Sequence, residues 1–217
     1  MALRNKAFPL ANFIWDFDGT LVESYEAIIE VLNLLYDNYQ LPFDLNGVSD
    51  FTIENSIGEL LEQLSKEHGL PLLTLKTFFN HEQEARDHMI SLMPGAKDLL
   101  DYATGKGIRH FIITHKGSTT EQVLTRLGIK QYFTEVITAA SGFARKPDSE
   151  SFDYLLKKYK LDKSQTFYIG DRPLDREFAE NSKVMSINLR EASSEKNIAI
   201  NDLSDIKVII DQNIISK

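Results

Sequence analysis

Five short apolar runs punctuate the chain: Asn12–Asp16, His110–Thr114, Glu135–Ala139, Thr166–Gly170 and Val184–Leu189. Each is rich in β-branched or aromatic residues, and their length predicts strands. Between them the period changes. Ala96–Thr104, Thr119–Leu127 and Ser149–Tyr159 read as helices, and the last carries Phe152, Leu155, Leu156 and Tyr159 on one face. Apolar strands alternating with amphipathic helices imply a parallel sheet covered on both sides. The expected fold class is α/β, a doubly wound parallel sheet.

One interval breaks the alternation. From Val22 to Leu92 there is no convincing strand, and three helical stretches are predicted, around Tyr25–Tyr39, Thr52–His68 and Leu73–Met89. The first two carry apolar faces (Ile28, Val31, Leu32, Leu35; Ile57, Leu60, Leu61, Leu64), while the third is more polar. Pro94-Gly95 returns the chain to alternation. The pattern therefore predicts an α/β core from residues 1–21 and 93–217, with 22–92 inserted as an all-helical domain. After Glu191, Ser193-Ser194 predicts a loop, and Ile198–Ile210 a last amphipathic element.

A formal net charge of −8 argues against a nucleic-acid partner, which would demand a basic stripe. The lack of cysteine excludes disulfides, thiolate catalysis and Cys-based zinc sites. Met1–Pro9 shows no signal-peptide pattern, and no apolar run approaches the length of a membrane span. A soluble, cytoplasmic protein with no membrane partner is expected; the sequence is silent on oligomeric state.

In open α/β sheets ligands bind beyond the carboxyl ends of the strands, so the residues just past each strand carry the chemistry. The first strand ends in Asp16-Phe17-Asp18-Gly19-Thr20 and the second in Thr114-His115. Arg145-Lys146-Pro147 follows the third, and the fourth ends in Gly170-Asp171 with Asp175 just beyond. Carboxylates, a hydroxyl and an ammonium on one edge suit phosphoryl transfer, which needs a nucleophile, a metal and cations around the transferred group. Carboxylates with few nitrogen ligands favour a hard ion such as Mg²⁺.

Asp16-Phe17-Asp18-Gly19-Thr20-Leu21-Val22-Glu23-Ser24, then Thr114, Lys146-Pro147 and Gly170-Asp171-Arg172-Pro173-Leu174-Asp175 resemble, in order and spacing, the four motifs of the haloacid dehalogenase superfamily. The insertion is similar to the helical cap of its phosphoglycolate-phosphatase and β-phosphoglucomutase branch. The resemblance covers about residues 11–190 and implies a Rossmann-like core and a small phosphorylated metabolite as substrate. It further implies Asp16 as nucleophile forming an aspartyl phosphate, and Asp18 as acid and then base. Thr114 and Lys146 would bind the phosphoryl group, with Lys146 also neutralising the nucleophile. Asp16, Asp171 and the main-chain carbonyl of Asp18 would ligate Mg²⁺, and Asp175 would ligate it or orient its shell. His115, where many relatives have Asn, either contacts substrate or stands exposed on its loop.

The resemblance implies phosphate chemistry rather than dehalogenation, since dehalogenases of that superfamily lack the second Asp that stands here as Asp18, and no cap lysine is placed for Schiff-base chemistry. A small-molecule phosphatase, a phosphosugar mutase and a non-catalytic regulatory module all remain open. Glu54, Asn55, Ser56, His81 and Arg86 of the insertion are candidates to read the leaving group, although Glu82 and Arg86 at i, i+4 also make a plain helix pair. Two positions depart from the family pattern of small residues after the fourth motif. Phe178 must be housed by a wider gap or turned away, and Lys183 stands where the backbone favours φ > 0.

Overall fold

The computed structural model describes residues 10–213, so the Met1–Pro9 reading lies outside the described residues. Two compact units are present: Glu23–Ser91 forms one, and the rest of the described chain the other. In chain order the elements are β1 (Asn12–Trp15), β2 (Val22–Glu23), α1 (Tyr25–Asn38), α2 (Leu45–Glu54), α3 (Ile57–His68), α4 (Leu72–Ala85) and β3 (Ser91–Leu92). Then follow α5 (Ala96–Gly105), β4 (Arg109–Ile113), α6 (Thr120–Arg126), β5 (Phe133–Ile137), α7 (Glu150–Tyr159) and β6 (Thr166–Gly170). The chain closes with α8 (Pro173–Ser182), β7 (Met185–Asn188), β8 (Asn197–Ala199) and α9 (Asp205–Asn213).

The main sheet has six strands in the order β5-β4-β1-β6-β7-β8, all pairings parallel. Strand β1 lies between β4 and β6, with Trp15 opposite Ile112 on one side and Ile169 on the other. The strand order reverses there, and Asp16 is the first residue past that point. Both sheet faces are covered, as the unbroken apolar runs require. On one face Ile14, Phe111, Tyr168 and Phe178 pack with Phe152 and Leu155 of α7. Phe13 and Trp15 point the other way, their rings edge to face at 5.7 Å.

The tail forms strand β8 and helix α9. Strand β8 escaped the pattern because Asn197–Ala199 is three residues long and begins with Asn, whose side chain is buried donating to the carbonyls of Glu191 and Ala192.

In the helical unit, Ile28, Val31, Leu32 and Leu35 of α1 share a core with Leu60, Leu61 and Leu64 of α3 and Leu75 and Phe79 of α4. The stretch predicted as one helix over Thr52–His68 is two. Helix α2 ends at Glu54, and Ser56 starts α3 with a reciprocal cap: its hydroxyl accepts from the Glu59 amide, and the Glu59 carboxylate accepts from the Ser56 amide. A second correction concerns strands: the interval begins and ends in the two-residue strands β2 and β3, which pair with each other.

Candidate active site

Asp16 leaves β1 fully buried, its amide donating to the Ile169 carbonyl at 2.8 Å. Three amides, those of Thr20, Leu21 and Val22, then turn back onto the Phe17 carbonyl. That tight loop requires φ = +75° at Gly19, a conformation glycine adopts without strain. Asp18 sits on this loop, partly buried, and its Oδ1 has no hydrogen-bond partner.

Lys146 anchors the centre. Its side chain is about 1% exposed, and Nζ donates to Asp16 Oδ1 at 2.8 Å, Asp175 Oδ1 at 2.7 Å and the Tyr168 hydroxyl at 2.9 Å. An ammonium has three N–H groups, so these partners engage all of them. Tyr168 in turn donates to the Ile113 carbonyl at 3.2 Å. Asp16 keeps Oδ2 buried and without a hydrogen-bond partner.

Asp175 is held just as firmly. Its Oδ1 takes Lys146, and its Oδ2 accepts from the amides of Asp171 and Arg172 at 3.3 and 3.1 Å, the two residues that lead into α8. Gly170 makes this possible: a Cβ there would stand 2.3 Å from the Cβ of Asp175. Asp171 Oδ1 accepts from Thr20 Oγ1 at 3.2 Å, and Arg190 lies 3.5 Å from its Oδ2. Carboxylate oxygens of Asp16, Asp171 and Asp175 all lie within 4.8 Å of one another. An all-oxygen donor set of three buried carboxylates at this spacing fits a hard divalent cation. The side chain of Asp18 is not in this group. Both oxygens of Asp175 are already engaged, which suits it to orienting neighbours.

The electrostatics follow from this crowding. Burial, then the charge of Asp175, pushes Asp16 up to about 7, against the pull of Lys146 and Arg172. Burial works against the Asp175 anion as well, but the charges of Lys146 and Arg172 outweigh it and hold the carboxyl low. Burial and the charges of Asp175 and Asp16 keep the Tyr168 phenol neutral, far above its usual range.

Thr114 is buried just past β4, and its hydroxyl accepts from the Lys116 amide at 3.0 Å. His115 is not exposed on its loop: both ring nitrogens are buried without hydrogen-bond partners. Burial, with Lys146, Arg145 and Arg172 nearby, drives its pKa down to about 2, so the imidazole is neutral. The motifs thus bring Asp16, Lys146, Asp171 and Asp175 into direct contact or close proximity.

Sequence reasoning missed Tyr168, Thr20, the buried Lys116 and Arg172. Arg172 was legible as an unusual cation between two aspartates of the motif. Among the insertion's candidates, Arg86 is committed to Glu82 at 2.7 Å and Glu30 at 3.0 Å, the plain ion pair, and Ser56 is spent on its helix cap. Phe178 is housed in the core, its ring 4.9 Å from Tyr168 and 5.9 Å from Phe152. Lys183 takes φ = +60° at the end of α8.

A doubly wound sheet with buried carboxylates at its switch point defines the class, and comparison with known proteins agrees. A family model described as haloacid dehalogenase-like hydrolase matches residues 13–189, and the chain belongs to that family of enzymes. It is 26% identical over 177 residues to a phosphoglycolate phosphatase of Yersinia pestis, covering 78% of this chain and 73% of the relative. It is 32% identical over 169 residues to haloacid dehalogenase-like hydrolase domain-containing protein 3 of Xenopus laevis, covering 70% of this chain and 62% of the relative. The crystal structure of a predicted phosphoglycolate phosphatase from Haemophilus somnus shares the fold, with a TM-score of 0.79 at 23% identity over 94% of this chain and 98% of that one. No helix among the described residues is long and apolar enough to cross a membrane.

Proposed function

We propose that this hydrolase is a magnesium-dependent phosphatase that cleaves a small phosphate monoester through a phosphorylated Asp16. One observation carries the reading: Asp16 is buried with Oδ1 pinned by Lys146 while Oδ2 keeps its lone pairs uncommitted. Oδ2 attacks phosphorus, the ester P–O bond breaks, and its electron pair leaves with the ester oxygen, which takes a proton from Asp18. Asp18, now ionised, removes a proton from water. The water oxygen bonds to phosphorus, the Oδ2–P bond breaks, and phosphate departs with Asp16 regenerated.

Lys146 acts on the nucleophile, and its three hydrogen bonds fix the attacking carboxylate in one orientation. Thr114 and the amides after it bind phosphoryl oxygens, and the neutral His115 ring faces the substrate. Asp16, Asp171 and the Asp18 carbonyl would hold Mg²⁺, with Asp175 orienting them. Positive charge supplied by the ion at these residues would favour the ionised form of Asp16 and offset charge on the transferred group. The helical unit, residues 22–92, is proposed as the cap that selects the leaving group. The Yersinia relative makes phosphoglycolate the first substrate to try.

The test is phosphate release from a panel of monoesters including phosphoglycolate and p-nitrophenyl phosphate, with Mg²⁺, with chelator, and with Asp16→Asn. Metal-dependent release that vanishes in the variant supports the reading. Undiminished release by Asp16→Asn would sink it, and phosphoryl return to a second sugar hydroxyl would make the protein a mutase.

A further inference from the structure

Arg172 has no part in the mechanism above, yet it is built into the site. Its amide donates to Asp175 Oδ2 at 3.1 Å, and its carbonyl accepts from Asn188 Nδ2 at 3.0 Å, so the backbone is tied on both sides. The side chain is only 10% exposed. One terminal guanidinium nitrogen lies 3.8 Å from Asp16 Oδ2, and Nε lies 4.0 Å from Asp175 Oδ2. The two oxygens of Asp16 therefore face different cations. Lys146 holds Oδ1 at 2.8 Å, whereas Oδ2 has Arg172 just beyond hydrogen-bonding range.

That gap has a chemical use. A carboxylate attacks through the oxygen whose lone pairs are free, which is Oδ2. Once phosphorus is bonded to Oδ2, its non-bridging oxygens flank that atom, and one of them, set to the side of the line from Oδ2 to the guanidinium, comes within hydrogen-bonding reach of the terminal nitrogen. Lys146 has no N–H left to meet them, because Asp16, Asp175 and Tyr168 take all three. A planar guanidinium presents a fork of donors matched to phosphate.

We propose that Arg172 is a further catalytic residue, binding the non-bridging oxygens of the phosphoryl group as it moves onto and off Asp16 Oδ2. The proposal rests on the phosphatase reading. In each half-reaction one P–O bond forms as another breaks, Asp18 carries the proton, and Arg172 keeps all of its own. The rival role is plain neutralisation of Asp16 and Asp175, which would make Arg172 a competitor of the divalent cation and leave phosphoryl binding to other groups.

The experiment uses the full chain with Arg172→Ser and Arg172→Lys, each checked for an unchanged circular dichroism spectrum. Three quantities are read: kcat and KM for p-nitrophenyl phosphate, inhibition by orthovanadate, and Mg²⁺ affinity by calorimetry. Arg172→Ser is expected to lower kcat by about 10²–10³-fold, the loss typical of one charge-stabilising donor. It should also weaken vanadate inhibition at least ~10-fold. Arg172→Lys, which restores charge without the fork, should recover part of both losses. Unchanged vanadate inhibition in Arg172→Ser overturns the proposal, and tighter Mg²⁺ binding alongside it identifies the rival role. Should Arg172→Ser not fold, Arg172→Lys decides alone, and wild-type vanadate inhibition in it overturns the proposal. A wild-type protein that neither releases phosphate nor responds to vanadate brings down the phosphatase reading itself, a failure distinct from that of Arg172.

Discussion

Acidification should loosen this fold at His110. The residue is about 1% exposed, and its Nδ1 accepts from the indole Nε1–H of Trp15 at 3.1 Å. The neutral ring therefore carries its proton on Nε2, which is buried without a partner. A second proton has only Nδ1 to occupy and would break the Trp15 bond. Burial accordingly depresses the pKa from 6.5 to about 4. In the unfolded chain the ring protonates near its ordinary value, so between those limits the unfolded state binds more protons. The contribution to stability is complete above pH 6.5, falls as the pH drops, and is gone below about 4. A shift of this size corresponds to about 3 kcal/mol, a large part of a typical domain's margin. Urea unfolding followed by the fluorescence of Trp15, the chain's single tryptophan, reads the unit that contains His110. Measured from pH 7.5 to 4.5, wild type should lose about 2–3 kcal/mol more than His110→Gln. The comparison cancels carboxylates common to both proteins. Parallel curves over that range would refute the reasoning.

Other perturbations probe the site and its supports. Gly170→Ala places a methyl 2.3 Å from the Asp175 Cβ, so the carboxylate must leave Lys146 and both amides. We expect about 1–3 kcal/mol of destabilisation in urea, and a loss of phosphate release of about 10²-fold; a wild-type rate would show that the position of Asp175 is immaterial. Lys183→Gly relieves the φ = +60° backbone at the end of α8. It should stabilise by about 0.5–1 kcal/mol, raising the melting temperature by a few degrees with turnover unchanged, and a lower melting point would contradict the strain.

The alternation of runs made the sheet legible, because strands buried on both faces leave a continuous apolar signature. Strands β2, β3 and β8 were not legible: at two or three residues they carry no period. The split between α2 and α3 was written in the sequence, since Ser56 and Glu59 stand at cap spacing, but the apolar positions around Ile57–Leu64 mask the break. Of the site, the aspartates and Lys146 could be named from their motifs. The hydroxyl of Tyr168 could not, because in a fully buried strand an aromatic side chain reads as core, and only the fold brings it to Lys146, 22 residues away. Phe178 shows the converse. It breaks the small-residue pattern, yet the space it fills lies between Tyr168 and Phe152.

Asp175 also carries a consequence for dynamics. The same carboxylate holds the amides of Asp171 and Arg172 at the head of α8 and the ammonium of Lys146. Fraying of that helix start therefore frees one of the three partners of Lys146 and leaves its ammonium on Asp16 and Tyr168 alone. Opening of the helix end and loosening of the buried charge cluster become one fluctuation. The exchange of the Asp171 and Arg172 amide protons with solvent is then a direct clock for how often that cluster opens.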